Sequence, residues 1–333
     1  MSGPPRRRLV LATASGAALV AQLEQRRDVE VLERFDLADS TDEARLTDGL
    51  AGAFAVVAGS ERYTRAVFEA LPDLRAIVRF GVGYDAIDLA AAGAAGVAVL
   101  TTPGANAESV ADMALALLLS AIRRLPDLDA AVRNGSWGRR TPARDLARAT
   151  VAIVGLGAIG RAVARRLRAF ECELLAVEPA PDLEHAARAG IELTDLDDAL
   201  ARSDAVTLHA ALTQRTHHLL GARELALLQP HAVVVNTSRG GLIDQRALAH
   251  ALRQGRIGGA GLDVFEDEPL PADDPLCSLP NVILSPHCSS FTALGIASTC
   301  EAVHERLCAL LDGRLPEGSL SEPGWTVPPL ARA

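Results

Sequence analysis

Residues 149–170 read ATVAIVGLGAIGRAVARRLRAF, and the folding of this stretch decides the rest of the chain. Ala149–Val154 is an unbroken apolar or β-branched run, as a buried strand requires. Gly155, Gly157 and Gly160 follow in GxGxxG spacing and open an apolar helix. That spacing alone is weak, but directly between a strand and a helix it is the signature of a turn that holds a dinucleotide. Each glycine has its own task. Gly155 permits the tight turn, Gly157 lets the backbone approach a pyrophosphate, and Gly160 lets helix and strand pack closely. The diphosphate then rests on amides at the helix start, among them those of Ala158 and Ile159, where the dipole favours negative charge.

The next strand, ELLAVEP, ends at Glu178. A carboxylate there accepts hydrogen bonds from the adenosine ribose and repels a 2′-phosphate. Pro179 and Ala180 follow, not an arginine, so NAD is expected over NADP.

Strand-like and helix-like runs alternate in both directions from this turn. Before it come LVLATA, VEVLERF, AFAVVAG, LRAIVRF and VAVLTTP, with helical stretches between. After it come ELLAVEP, DAVTLHA, AVVVNTS, GGAGLDVF and NVILSP. Such alternation predicts parallel sheets covered by helices. Gly104–Leu125 is long and apolar enough for a buried connector helix between two domains. The tail from Gly313 onward is rich in Pro and Gly and is expected to be irregular. With 333 residues, two domains are expected. The fold class is α/β, with two doubly wound parallel-sheet domains. A Rossmann NAD-binding domain (103–287) is inserted into a flavodoxin-like domain made of 1–102 and 288–333. The first hundred residues lack GxGxxG, so substrate binding is their economical role.

Composition narrows the function. Hydrophobic residues make up 49% of the chain and aromatics only 3%, so the cores must be built from Ala, Val, Leu and Ile. A net charge of -9 argues against a nucleic-acid partner. Five scattered cysteines without a CxxC pair read as reduced thiols in a cytoplasm. No metal site is expected. No segment reaches the ~18 uninterrupted apolar residues of a membrane helix. The N-terminal MSGPPRRRLVLATASGAALVAQ superficially resembles a secretory signal. It continues directly into βα alternation, so a strand and a helix are expected instead.

Three polar residues stand just past predicted strands: Arg239 in VNTSRGGLID, Glu268 in DVFEDEP and His287 in LSPHCSS. Ligands of a doubly wound sheet bind beyond the carboxyl ends of its strands. An arginine can hold a carboxylate with two parallel hydrogen bonds. A histidine can exchange a proton near neutral pH, and a carboxylate paired with it stabilises its charged form. With a nicotinamide as hydride carrier, the set describes reduction of a 2-keto acid or oxidation of a 2-hydroxy acid.

These motifs together resemble the D-isomer-specific 2-hydroxyacid dehydrogenase family. The matching stretches are FGVGYDAIDL, TTPGANAESVADMALALLL, VAIVGLGAIGRAVARRL, LHAALTQRTHHLLG, AVVVNTSRGGLIDQRAL, GGAGLDVFEDEPLP and NVILSPHCSS. The resemblance implies that Arg239 binds substrate, His287 is the acid/base and Glu268 is its carboxylate partner. Glu266 and Asp267 do not match and are expected to be solvated. It implies that Asp263 lies near the nicotinamide carboxamide and that His209, Thr216 and Thr237 line the cofactor. It implies that the amides of Val82 and Gly83 hold the substrate carboxylate, as exposed backbone amides can. Departures are Ala86, Ala211 and the Cys288–Ser289–Ser290 run, where the family commonly has glycines or alanines. This last run is expected to alter pocket shape and substrate preference.

Arg62 and Arg79 are candidates for holding a phosphate, which would point to a phosphorylated or phosphonate substrate. Glyoxylate, hydroxypyruvate or a bulkier keto acid stand beside that reading. The family's dimer region matches Ala107–Leu119 with the Trp137 loop, so a homodimer is expected. An NAD(H)-responsive regulator on the same fold is the alternative function, although a pure binder need not keep Arg239, Glu268 and His287 together.

Overall fold

The structure is a computed structural model that describes residues 6–38, 40–137, 143–314, 316 and 319–320. It divides into two compact units, Ala107–Phe291 and the pair of segments Met1–Asn106 and Thr292–Ala333.

The discontinuous unit is built on strands β1 (Arg7–Leu11), β2 (Val29–Glu33), β3 (Ala55–Ala58), β4 (Ala76–Arg79) and β5 (Ala98–Leu100). They are parallel, in the order β2-β1-β3-β4-β5, the flavodoxin-like arrangement. Successive side chains point to opposite faces of a strand. Val10, Val56, Ile77 and Val99 accordingly enter one core, while Leu9, Leu11, Val57, Val78 and Leu100 enter the other, with Val303, Leu307 and Leu310 of the helix Ala293–Leu311. Several helices start where an Asp or Thr side chain accepts an amide proton of the first turn, as at Asp42, Thr64, Asp88 and Thr292. The stretch after β1 lacks such a bond. It forms a 3-10 turn, Ala14–Leu19, and a short helix, Val20–Leu23, instead of one continuous helix.

The continuous unit carries β6 (Thr150–Val154), β7 (Glu173–Val177), β8 (Ile191–Leu193), β9 (Ala205–Leu208), β10 (Val233–Asn236), β11 (Gly259–Leu262) and β12 (Val282–Leu284). All pair in parallel, in the order β8-β7-β6-β9-β10-β11-β12. The order reverses between β6 and β9, which places the ligand crevice beyond the end of β6. The long helix Ala107–Ile122 packs on one face of this sheet through Ala111, Ala114, Leu117 and Leu118. Each of the two leucines contributes about 1.5–3 kcal/mol by burial. Gly261 on β11 makes that approach possible, because a Cβ there would lie 2.8 Å from Leu117 Cβ.

Three elements differ from expectation. β8 is a three-residue strand too short to stand out in the sequence. A helix, Leu125–Arg133, buries none of its residues and follows the long one directly. In the tail expected to be irregular, β13 (Ser319–Leu320) pairs antiparallel with β5; residues 315, 317–318 and 321–333 lie outside the described residues, as does 138–142 of the Trp137 loop. Among the described residues no helix is long and apolar enough to cross a membrane.

Candidate active site

The glycine turn behaves as three separate constraints. Gly155 has φ +96°, and a Cβ there would lie 2.7 Å from the His209 and Ala210 backbone. At Gly160 a Cβ would stand 2.0 Å from Gly155 O, so helix and turn touch backbone to backbone. A Cβ at Gly157 would meet nothing within 4 Å. Gly157 starts the helix Ala158–Arg168, whose first turn has no side-chain cap and no acidic residue. Open space over uncapped amides fits an anionic diphosphate. Beside it, Glu178 Oε2 accepts the Leu156 amide at 2.8 Å and Oε1 the Ala180 amide at 3.3 Å. Its carboxylate thus links the end of β7 to the glycine turn.

His209 follows β9 and is half-buried; burial pushes its imidazole down to about 3, so it is neutral. Its Nε2 meets Thr207 Oγ1 at 2.8 Å. Its Nδ1 and the Thr237 hydroxyl are buried without a hydrogen-bond partner among the described residues. Buried polar atoms are rarely left so, and these two lie at positions where a nicotinamide dinucleotide is expected. The Thr216 hydroxyl turns onto Ala211 O at 2.7 Å and closes its own loop.

The three polar residues beyond β10, β11 and β12 fall on one edge. The Asn236 side chain builds the first turn: its Nδ2 donates to Arg239 O at 2.9 Å and its Oδ1 accepts the Ser238 amide at 3.0 Å. Arg239 Nη1 donates to Ser238 O. Gly240 then runs against the next turn so closely that a Cβ would sit 1.8 Å from Phe265 C. That next turn carries Glu268, whose Oε1 accepts the Phe265 amide at 2.9 Å and whose Oε2 meets His287 Nδ1 at 2.7 Å. Burial alone would raise the Glu268 carboxyl; the His287 hydrogen bond and charge, the Phe265 amide and the Arg239 charge outweigh it and hold the group below the usual carboxylate range. With Nδ1 engaged, Nε2 is the nitrogen His287 has for a substrate.

Glu266 is exposed, and its side chain also has a partner. Its Oε1 pairs with His218 Nε2, and its amide donates to Gln245 Oε1 at 3.1 Å. Asp263 is fully buried, and its carboxylate is occupied by Ser285, Cys288 and Ser289. Ser289, expected to shape a pocket, is therefore turned inward. Gly240, Asn236 and Ser285 were not singled out from the sequence. Asn two residues before Ser, an Asx-turn pattern, and the Gly-Gly pair after Arg239 were the available signals.

In the other unit, Val82 and Gly83 lie on the turn after β4. Neither amide donates to a protein group among the described residues. Arg79 holds this turn from below, with Nε on Gly83 O at 2.7 Å and Nη1 on Ala58 O at 3.2 Å. Arg62 is exposed.

A family profile described as "D-isomer specific 2-hydroxyacid dehydrogenase, NAD binding domain" matches residues 115–289. The glyoxylate reductase of Korarchaeum cryptofilum is 41% identical over 77% of this chain and 79% of its own length. A D-3-phosphoglycerate dehydrogenase of Methanocaldococcus jannaschii is 39% identical over 80% of this chain, which spans about half (51%) of that protein. Among solved structures, a Thermus thermophilus protein superposes with TM-score 0.84 at 35% identity, covering 95% of this chain and 100% of that one. D-Lactate dehydrogenase from Aquifex aeolicus, complexed with NAD and lactic acid, does so with TM-score 0.82 at 26% identity, covering 92% and 96%. Two parallel α/β sheets, a glycine turn built for a dinucleotide and a sequence shared at this level over most of both chains lead to one conclusion: the chain belongs to the D-isomer-specific 2-hydroxyacid dehydrogenase family.

Proposed function

We propose that this protein interconverts a small, unphosphorylated 2-keto acid and its D-2-hydroxy acid with NAD(H), and that glyoxylate is the first substrate class to test. The observation that carries the reading is the His287–Glu268 pair beyond β12, beside Arg239 and on the same sheet as the glycine turn. Gly157, Ala158, Ile159, Glu178, His209, Thr237 and Asp263 are the residues assigned to the cofactor side. NAD(H), when bound, supplies or takes up the hydride at C2. Arg239 binds the substrate carboxylate and polarises the carbonyl; the Val82 and Gly83 amides are assigned to the substrate side. In reduction, Nε2 of protonated His287 gives its proton to the forming alkoxide. Glu268 keeps the ring oriented through Nδ1.

One observation supports a substrate without phosphate. The Arg79 guanidinium is engaged with the backbone carbonyls of Gly83 and Ala58. The apolar side chains Leu125, Leu128 and Val132 are exposed on a helix that buries nothing, which supports a homodimer through this helix. The deciding experiment is NADH and NADPH oxidation with glyoxylate, hydroxypyruvate, pyruvate and phosphohydroxypyruvate, alongside His287→Ala. Turnover by the unaltered enzyme and a loss of ~10²–10⁴-fold in the variant is expected. Tight NADH binding with no turnover of any keto acid would sink the reading.

A further inference from the structure

We propose that Ser289 is a positioning residue for His287 and acts on it through Asp263. This rests on the reading of His287 as the acid/base and adds how this chain fixes that residue.

A carboxylate has about four acceptor sites. Those of Asp263 are filled from a single short segment. Oδ1 accepts the Ser285 hydroxyl at 2.5 Å and the Cys288 amide at 3.1 Å. Oδ2 accepts the Ser289 amide at 2.9 Å and the Ser289 hydroxyl. The backbone of Asp263 joins in, its carbonyl accepting the His287 amide at 2.8 Å. Asp263 is 0% exposed and Ser289 4% exposed, so water cannot replace these donors, and a buried charge needs them all.

The bonds bracket His287 on both sides. His287 itself has φ +51°, a left-handed conformation that residues other than glycine adopt infrequently and that persists only where the surroundings over-determine it. Holding residues 285, 288 and 289 on one buried carboxylate does that. The same conformation aims Nδ1 at Glu268. A glycine or alanine at 289 would keep the amide bond and lack the hydroxyl. The Ser289 hydroxyl is thus an added tether from the His287 turn to β11. Asp263, with its acceptor sites taken by this turn, influences the reaction through His287.

The test is a double-mutant cycle of Ser289→Ala and His287→Ala, read as kcat, as KM for NADH and as thermal midpoint. Misplacement of a catalytic group by a fraction of an ångström should lower kcat about tenfold in Ser289→Ala, with KM for NADH unchanged. In the His287→Ala background, Ser289→Ala should cause no further loss, because the group it positions is gone. An equal fold-loss in both backgrounds, or unaltered kcat in Ser289→Ala, overturns the proposal. Should Ser289→Ala fail to fold, Ser285→Ala removes a different donor to the same carboxylate and must show the same background-dependent loss. A His287→Ala enzyme with full turnover would instead remove the acid/base reading itself. An inactive His287→Ala beside an unimpaired Ser289→Ala would overturn only the role given to Ser289.

Discussion

Glu268 Oε2 stands 2.7 Å from His287 Nδ1 while its other oxygen takes the Phe265 amide. One carboxylate therefore ties the imidazole to the backbone of the turn beyond β11. Glu268→Gln removes the charge and keeps the size. Losing a charged hydrogen-bond partner costs about 1.5–3 kcal/mol, so kcat should fall roughly tenfold or more. The Kd for NADH should stay unchanged, since the pair acts on the imidazole. Steady-state rates and NADH titration of both enzymes check this; an unaltered kcat would contradict the pairing.

The glycine turn separates stability from binding. Gly160→Ala forces a Cβ to 2.0 Å from Gly155 O, and overpacking of this kind costs about 1–3 kcal/mol, visible in urea unfolding. Gly157→Ala meets nothing within 4 Å. Its unfolding curve should match that of the parent, while NADH affinity, followed by fluorescence titration, falls.

His209 predicts an acid sensitivity. Its folded value is about 3 against an ordinary 6.5. Between these limits the unfolded chain binds a proton that the folded chain does not. Stability is therefore complete above about 6.5 and declines as pH falls toward 3, by at most ~1.4 kcal/mol per pH unit from this group. His209→Gln should show a shallower decline over that window in chemical unfolding. Equal slopes would mean that His209 is not the buried neutral group described.

Arg79 supports the turn that offers the Val82 and Gly83 amides. Arg79→Gln loosens it, and KM for the keto acid should rise by about tenfold, the scale of one lost charged hydrogen bond. The Kd for NADH should stay unchanged. A variant with unaltered KM would separate Arg79 from the substrate turn.

Light scattering should give twice the chain mass at micromolar concentration. Leu128→Glu, in the exposed stripe with Leu125 and Val132, should shift the protein to monomer with little change in thermal midpoint. A dimer that survives this change would place the interface elsewhere.

Much of the site was legible because its strongest signals are local. The glycine turn lies within one strand–turn–helix, and Arg239, Glu268 and His287 each follow an apolar run that is visibly a strand. Donor–acceptor pairs that cross between strands carry no such local mark. Ser289 and Asp263 are far apart in sequence, and only the parallel pairing of β11 with β12 brings their ends together. The inward turn of Ser289 was hidden for that reason, and the expectation that it shapes a pocket followed from its departure from the family's glycines or alanines. Two-residue β13 and three-residue β8 are too short for periodicity to register. The helix Leu125–Arg133 carries its leucines outward, so its pattern lacks the usual tie between apolar residues and a core.

Gly240 pressed onto Phe265 has a consequence for how the site tolerates heat and mutation. The separation of the turns bearing Arg239 and Glu268 is gauged by main chain against main chain, with no side chain between them. Rotamer changes can swing the guanidinium tip, but they cannot widen the gap on which the arginine's field at the carboxylate depends. Any residue larger than glycine at 240 would act as a wedge, displacing Arg239 and Glu268 at once while touching neither.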